Sequence, residues 1–282
     1  MSCDDHARRS CFTPHRHRQP CPRVQPWAEP GQRAALRAQL RCAAGRLPGP
    51  VAGPWFQPWR TGAAQFSGHR QPLPAQRPAN RAGATARVVM LDRDVERETM
   101  QEMDRLGVRG VRLNLMGQGL PDLTGAEWRP LLERIGEQGW HLELHRHVAD
   151  TPALLRALEP YGLNIVVDHF GRPDARLGLG QPGFAELLTL GGKGKVWVKV
   201  SGIYRLEGTP EQNLAFARQA LCALEAHYGA ERLMWGSDWP HTQHESAVSF
   251  TTAVEQFEAL GCSAELRRAL LVDTAQALFG FE

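Results

Sequence analysis

From Ala86 onward the sequence alternates short apolar runs with longer segments of helical periodicity. The runs are short and bounded by turn residues, so they predict strands that are buried on both faces. Strands that alternate with helices form right-handed β-α-β units, which place the strands parallel to one another in one sheet. Six strands are predicted in this way, over residues 86–91, 110–115, 140–145, 164–167, 195–201 and 233–236.

Several helices between these strands have recognisable ends. Residues 209–212 match a capping box with a proline at the first helical position, and Gly229 is suited to end that helix. Thr151-Pro152 predicts the start of another helix, which Gly162 closes. Two further segments show an apolar stripe that is typical of core-facing helices, over residues 95–106 and 126–138.

Titratable side chains follow the apolar runs at their carboxyl ends. Asp168 and His169 come directly after the fourth run, and Asp238 and His241 follow the last one. The carboxyl ends of parallel strands lie at one edge of a sheet, where ligand sites form. A carboxylate at the end of a buried strand is costly unless it pairs, binds a metal or acts on a proton. Asp238 is therefore the strongest candidate site residue, with a role as an N-cap as the alternative.

Three arginines also fall at or just beyond strand ends: Arg112, Arg172 and Arg205. A guanidinium group binds carboxylates in bidentate geometry, so the three together suit a substrate that carries two carboxylates. An alternative is that each arginine pairs with a neighbouring acid, and the sequence leaves both interpretations open. The same edge is expected to carry three further substrate-contact candidates, for which packing roles are equally plausible: Asn114, Tyr204 and His241.

The motifs at the strand ends resemble, in content and order, those of the amidohydrolase-related family of TIM-barrel hydrolases. They are Gly-Val-Arg-Leu-Asn, Val-Asp-His-Phe-Gly-Arg-Pro, Val-Lys-Val-Ser-Gly-Ile-Tyr-Arg, Trp-Gly-Ser-Asp-Trp-Pro-His and Asp-Thr-Ala-Gln-Ala-Leu-Phe, over residues 110–114, 167–173, 198–205, 235–241 and 273–279. The similarity covers roughly the last two-thirds of the chain. Within the family, the motifs are most similar to the branch that resembles 2-pyrone-4,6-dicarboxylate lactonase.

This resemblance implies a fold and a reaction. The fold is an α/β protein of the (β/α)8 TIM-barrel type, of which six β/α units are recognisable here. The reaction is the opening of a lactone, or an amide, of a small carboxylated ring compound by water. By resemblance, Asp238 accepts a proton from the water, and His169 coordinates a metal or polarises the substrate carbonyl. The alternatives are a metal-dependent hydrolase or decarboxylase of the same superfamily and an inactive barrel remnant that binds carboxylates.

The resemblance leaves open whether the protein needs no cofactor or one divalent metal ion. Metal-dependent relatives take two ligands from a His-x-His pair at the end of the first strand, and that motif is absent here. His15 and His17 have the spacing, but prolines flank them and no apolar strand precedes them. His145 and His147 end a predicted strand and would share one side of it if the strand continued. Candidate metal ligands are therefore His145, His169 and Asp238, although His145 is equally compatible with a role that involves no metal.

The first 85 residues differ sharply from the rest and are predicted to form a separate, irregular segment, 1–85, ahead of a barrel domain, 86–282. Residues 1–87 contain 14 arginines and 12 of the 20 prolines but only three acidic residues. Such frequent prolines prevent regular helices and interior strands, so two of the eight barrel units are not found. This composition is also what a GC-rich gene yields when translated out of frame, which is our preferred hypothesis for this segment. Retranslating the coding DNA across codon 86 in all three frames tests it.

Other features narrow the range of partners. No apolar run is long enough to span a membrane, and the cysteines lack paired spacing, which favours a reducing, cytoplasmic location. The basic N-terminal segment lacks lysine and a periodic arrangement of aromatic residues, so nucleic-acid binding is not favoured. The Gly-x-Gly-x-x-Gly match at residues 178–183 follows no strand directly and is interrupted by Pro182, which indicates a loop. The expected partner is a small carboxylated substrate.

Overall fold

The computed structural model of the protein describes residues 86–280. The predicted N-terminal segment, with His15 and His17, lies outside the described residues. All six predicted strands are present within two residues of the expected bounds. They are β1 (Arg87–Val89), β2 (Val108–Asn114), β3 (His141–His145), β4 (Ile165–Val167), β5 (Val196–Ser201) and β6 (Leu233–Gly236).

Helices follow the strands in regular alternation. The expected helices form, and further ones that the sequence analysis had not placed follow β4 and β6. None of the helices in the described part of the chain combines the length and the apolar character that crossing a membrane requires. The α-helices are α1 (Arg97–Arg105), α2 (Arg129–Glu137), α3 (Thr151–Leu158), α4 (Phe184–Leu190), α5 (Pro210–Tyr228), α6 (Phe250–Glu258), α7 (Ala264–Arg268) and α8 (Thr274–Phe279).

The six strands form one parallel sheet in the order of the sequence, β1 to β6. Each strand pairs with the next, and the register places Arg112 beside Glu143 and Asn114 beside His145. Neighbouring order with helical crossovers is the connectivity of a (β/α) barrel. The sheet curls into a half-barrel, so the prediction of an incomplete TIM-like barrel with six β/α units is confirmed.

Local signals at the helix ends behave as the sequence predicts. Thr209 accepts a hydrogen bond from the backbone N–H of Gln212, whose side chain accepts one from the backbone N–H of Thr209 in return. Gly162 adopts a left-handed conformation (φ 60°) after the last turn that follows α3. β3 ends at His145 as predicted, so the strand does not continue far enough for His145 and His147 to share one side of it, and His147 is exposed. The chain turns there, because the N–H of Asp150 donates to the carbonyl of His147 at 3.0 Å.

The two faces of the strands have different chemistry. In β3, Leu142 and Leu144 belong to the apolar core, while Glu143 lies against polar groups from other strands. β5 repeats this arrangement, because Val198 and Val200 are buried in the same core and Lys199 is in contact with Glu143. Alternation along a strand therefore places apolar residues under the helices and charged residues inside the half-barrel.

Candidate active site

Asp238 lies just beyond β6, with its backbone in the left-handed region (φ 59°). Its Oδ2 atom accepts a hydrogen bond from the Tyr204 hydroxyl at 2.5 Å and another from Nε of Arg205. The other carboxylate oxygen, Oδ1, is 3.6 Å from Nε2 of His169. That distance is longer than a hydrogen bond, so Oδ1 keeps its capacity to accept a proton from a third group.

The surroundings of Asp238 keep its carboxylate ionised. Burial alone would raise its pKa, but His169, Arg205 and Tyr204 together hold the pKa below its usual value. Burial and the hydrogen bond to Asp238 raise the pKa of Tyr204. The tyrosine therefore remains a phenol that donates to the carboxylate.

His169 starts the turn after β4 and is buried, with a positive φ of 52°. Its Nδ1 atom lies 2.9 Å from the Ser201 hydroxyl at the end of β5. The next residue, Gly202, approaches the ring so closely that a Cβ atom there would lie 2.8 Å from Nδ1. Burial is the main cause that lowers the pKa of His169, to about 4, so the ring is neutral at neutral pH.

Four charged residues inside the half-barrel form what we call the interior charge cluster: Arg112, Glu143, Asp168 and Lys199. Nζ of Lys199 is 2.6 Å from Glu143 and 3.1 Å from Asp168. Nε of Arg112 donates to Asp168 at 2.7 Å. Both acids are almost fully buried, with side-chain exposures of 3% for Glu143 and 2% for Asp168. The cluster therefore satisfies two buried carboxylates with two cations.

The ion pairs of the interior charge cluster determine the pKa values of Asp168 and Lys199. Burial alone would raise the pKa of Asp168, but Lys199 and Arg112 hold it well below its usual range. Lys199 and Arg112 therefore keep Asp168 ionised. Burial alone would lower the pKa of Lys199, but Asp168 and Glu143 raise it, so the ammonium group stays charged.

His145, Asp168 and His169 bring atoms of metal-ligating types within 4.8 Å of one another. Their contacts, however, do not suit a metal ion. Both oxygens of Asp168 are already paired, one with Arg112 and the other with Lys199. Nδ1 of His145 lies 2.9 Å from Nη2 of Arg112, a group that can only donate. Of the three, only His169 has contacts compatible with a free lone pair at Nε2, since a serine hydroxyl can donate or accept.

Each of the three predicted arginines has an acidic partner, as the alternative interpretation expected. Arg112 pairs with Asp168, Arg205 pairs with Asp238, and Arg172 donates through Nη2 to Glu207 at 2.9 Å. Nε of Arg172 is buried and has no hydrogen-bond partner among residues 86–280. Part of the Arg172 guanidinium therefore remains available to a ligand.

The other predicted site residues lie along the same edge of the sheet. Nδ1 of His241 is 3.2 Å from the Tyr204 hydroxyl, so His241 joins the contacts around Asp238. Asn114 is half-buried beside His145, and its Oδ1 accepts a weak hydrogen bond from the backbone of Met116 at 3.4 Å. The predicted residues thus form a nearly continuous set around one half-barrel edge.

Sequence reasoning missed three residues of this region: Glu143, Lys199 and Ser201. A signal for them was present, since polar and apolar residues alternate strictly along His-Leu-Glu-Leu-His and Val-Lys-Val-Ser. In a strand whose apolar face is covered by helices, alternation assigns the polar residues to the barrel interior.

The parallel half-barrel, with a carboxylate, a neutral imidazole and guanidinium groups at its carboxyl edge, defines the class of TIM-barrel hydrolases. The family model described as Amidohydrolase matches residues 14–281, and the chain belongs to this family.

Three similar proteins share the name of a 2-pyrone-4,6-dicarboxylate hydrolase. The chain is 30% identical to a 2-pyrone-4,6-dicarboxylate hydrolase of Comamonas testosteroni, over 70% of this chain and 68% of the relative. It is 85% identical to a Pseudomonas putida protein of known crystal structure provisionally named 2-pyrone-4,6-dicarboxylic acid hydrolase. That match has a TM-score of 0.68 and covers 69% of this chain and 71% of the other.

A third similar protein is the probable 2-pyrone-4,6-dicarboxylic acid hydrolase of Acinetobacter baumannii, whose crystal structure contains citric acid. It is 34% identical, with a TM-score of 0.65, over 68% of this chain and 72% of that one. All three of these proteins are named as 2-pyrone-4,6-dicarboxylate hydrolases, which agrees with the branch that the motifs resemble.

Proposed function

We propose that this chain is a hydrolase that opens the lactone ring of a small carboxylated compound by water attack at the carbonyl. The observation that carries the proposal is the state of Asp238. Tyr204 and Arg205 hold Oδ2, whereas Oδ1 faces a buried neutral imidazole at 3.6 Å. A fixed, ionised carboxylate with one available oxygen is suited to act as a general base.

The proposed reaction has two stages. In the first, Oδ1 of Asp238 takes a proton from water while the water oxygen bonds to the carbonyl carbon. The carbonyl electron pair moves onto oxygen, where Nε2–H of His169 stabilises the negative charge. In the second, the carbonyl re-forms, the ring C–O bond breaks, and the ring oxygen receives the proton from Asp238. The product is the ring-opened acid, and the base is regenerated.

The substrate class follows from the charge at the carboxyl edge of the sheet. We propose that Arg172 and Arg205 hold substrate carboxylates. Arg112, the third candidate, lies further inside the half-barrel. Arg172 has an unpartnered buried Nε within the described residues, and its partner Glu207 is partly exposed, at 43%. The names of the relatives support a dicarboxylated lactone, and the citric acid in one of them is a polycarboxylate.

A substrate series tests the proposal. We expect kcat/KM to be highest for 2-pyrone-4,6-dicarboxylate and to fall about 10- to 100-fold for each carboxylate removed, because each loses charged hydrogen bonds. Ring opening is followed by the loss of pyrone absorbance, with unsubstituted 2-pyrone and a monocarboxylated 2-pyrone as comparators. The matched cyclic amide, 2-pyridone-4,6-dicarboxylate, tests lactone against amide.

Two results would contradict the proposal. Equal turnover of charged and uncharged lactones would remove the role of the arginines. Tight binding of the dicarboxylate in calorimetry, with no ring opening, would instead identify the chain as a carboxylate-binding protein without catalytic activity.

The pH dependence of kcat/KM provides a second test. Burial lowers the pKa of His169 to about 4. The groups around Asp238 hold the pKa of that carboxylate below its usual value. We therefore expect kcat/KM to stay level from about pH 8 down to about pH 5 and to fall as the pH passes through about 4. Protonated His169 would pair with Asp238 and weaken it as a base. An acid limb near pH 6.5, the value of a free imidazole, would show that His169 is not neutralised by burial.

A further inference from the structure

His145 is a buried imidazole with no role in the two-stage reaction proposed for Asp238 and His169. It is the last residue of β3, and the residue is 8% exposed. Its Nε2 atom is buried and lacks a hydrogen-bond partner among the residues that the structure describes. A buried donor or acceptor without a partner is costly, so such an atom at the carboxyl edge of a barrel indicates a ligand contact.

The contact on the other ring nitrogen determines what Nε2 can do. Nη2 of Arg112 is 2.9 Å from Nδ1 of His145. A guanidinium group carries only donors, so Nδ1 must accept, and the ring proton must sit on Nε2. Burial and the positive charge of Arg112 lower the pKa of His145 to about 2, which excludes the doubly protonated ring at neutral pH. His145 therefore presents a neutral N–H group.

Arg112 is itself held in place by the interior charge cluster. Its Nε donates to Asp168 at 2.7 Å, and Asp168 also pairs with Lys199. The relay from Asp168 through Arg112 thus fixes both the orientation and the tautomer of His145. In this tautomer Nε2 has no lone pair, so it cannot coordinate a metal ion.

His145 and His169 lie together. Their rings are 4.9 Å apart between centroids, with an angle of 82° between the planes. Nε2 is buried and unpartnered in both rings within the described part of the chain. Ser201 can donate its hydroxyl proton to Nδ1 of His169, which gives that ring the same Nε2–H tautomer. Two buried, neutral N–H donors on neighbouring rings can together stabilise a developing oxyanion.

We propose that His145 is a second oxyanion donor beside His169, and that Arg112 is the positioning residue that fixes its tautomer. This inference rests on the proposed lactone hydrolysis and extends it. His145 acts through hydrogen bonding to the former carbonyl oxygen in the tetrahedral intermediate, and no proton is transferred from it.

The test compares His145→Phe, which removes the donor but keeps a ring, with His145→Gln, which keeps an N–H donor. We expect kcat to fall about 100- to 1,000-fold in the phenylalanine variant, with little change in KM, and to be partly restored in the glutamine variant. His147→Phe is the matched control, because His147 is exposed two residues further along. An unchanged kcat in His145→Phe would overturn the proposal, as would turnover that rises with added Zn²⁺ and requires His145.

A second measurement does not depend on activity. The ¹⁵N spectrum of histidine-labelled full-length chain should show His145 with a protonated Nε2 and an unprotonated Nδ1, assigned by its loss in His145→Gln. The opposite tautomer would overturn the inference whether or not the chain turns over a lactone. The expected tautomer in a chain that hydrolyses no lactone would refute the proposed function, and with it the catalytic role of His145.

Discussion

Replacing Asp238 with asparagine is expected to lower kcat on a dicarboxylated lactone by about 100- to 10,000-fold, the range that general-base catalysis contributes. Asparagine has the same shape, and its oxygen can still accept from Tyr204 and Arg205 as Oδ2 does. Its amide nitrogen, which replaces Oδ1, has no basic lone pair. The measurement is steady-state kinetics at saturating substrate, since KM should change much less than kcat.

The substitution also leaves buried Arg205 without a charged partner, so folding must be checked in parallel. Circular dichroism and the thermal midpoint show whether a loss of turnover arises from the base or from unfolding. Asp122→Asn is the matched control, because Asp122 is an exposed acid in the loop that follows β2. Full turnover in a folded Asp238→Asn variant would eliminate Asp238 as the base.

The strands and their order were predictable because parallel strands under helices require continuous or alternating apolar runs. The positions of Asp238 and His169 at the carboxyl edge followed from the same rule. The backbone conformation that orients these two side chains could not be predicted from that rule. His169 and Asp238 have φ values of 52° and 59°, a region that non-glycine residues adopt only where the surrounding structure holds them. Such backbone conformations depend on tertiary contacts that a linear pattern does not contain.

The partners of the three arginines could not be predicted from the sequence either. Arg112 and Asp168 are 56 positions apart and become neighbours only through the curl of the sheet. The sequence predicts three arginines at strand ends, but it does not distinguish between acids and substrate as their partners. The structure shows that the arginines differ, because Arg205 is held by Asp238 and the carbonyl of Thr242 while Nε of Arg172 has no partner in the described range.

The interior charge cluster links the stability of the half-barrel to the site. Asp168 anchors Arg112, which in turn contacts His145, so the same carboxylate serves the fold and the orientation of a site imidazole. The charge of Glu143 depends more on a single cation than the charge of Asp168 does. Lys199 is 2.6 Å away, whereas Nε of Arg112 is 3.9 Å away. Removing the lysine charge should therefore leave Glu143 as a buried carboxylate with poor compensation.

Lys199→Met is expected to lower the free energy of unfolding by about 3–5 kcal/mol at pH 7, the cost of breaking a buried ion pair from one side. Methionine keeps most of the apolar stem, so the loss reflects charge more than volume. Without Lys199, the pKa of Glu143 should rise above its unfolded value. A group with a raised folded pKa stabilises the fold when it is protonated, so the deficit should shrink as the pH falls from 7 toward about 5. Urea unfolding followed by tryptophan fluorescence at both pH values measures this.

Lys195→Met is the matched control, since Lys195 is exposed and its Nζ bonds only the carbonyl of Gly162 among the hydrogen bonds of the described chain. Lys195→Met should lower the free energy of unfolding far less than Lys199→Met does, and its effect should not depend on pH. The double variant Lys199→Met with Glu143→Gln should recover part of the loss at pH 7, because the uncompensated charge is gone. If Lys199→Met and Lys195→Met unfold at the same urea concentration, the two buried carboxylates do not depend on Lys199. In that case another group must compensate Glu143.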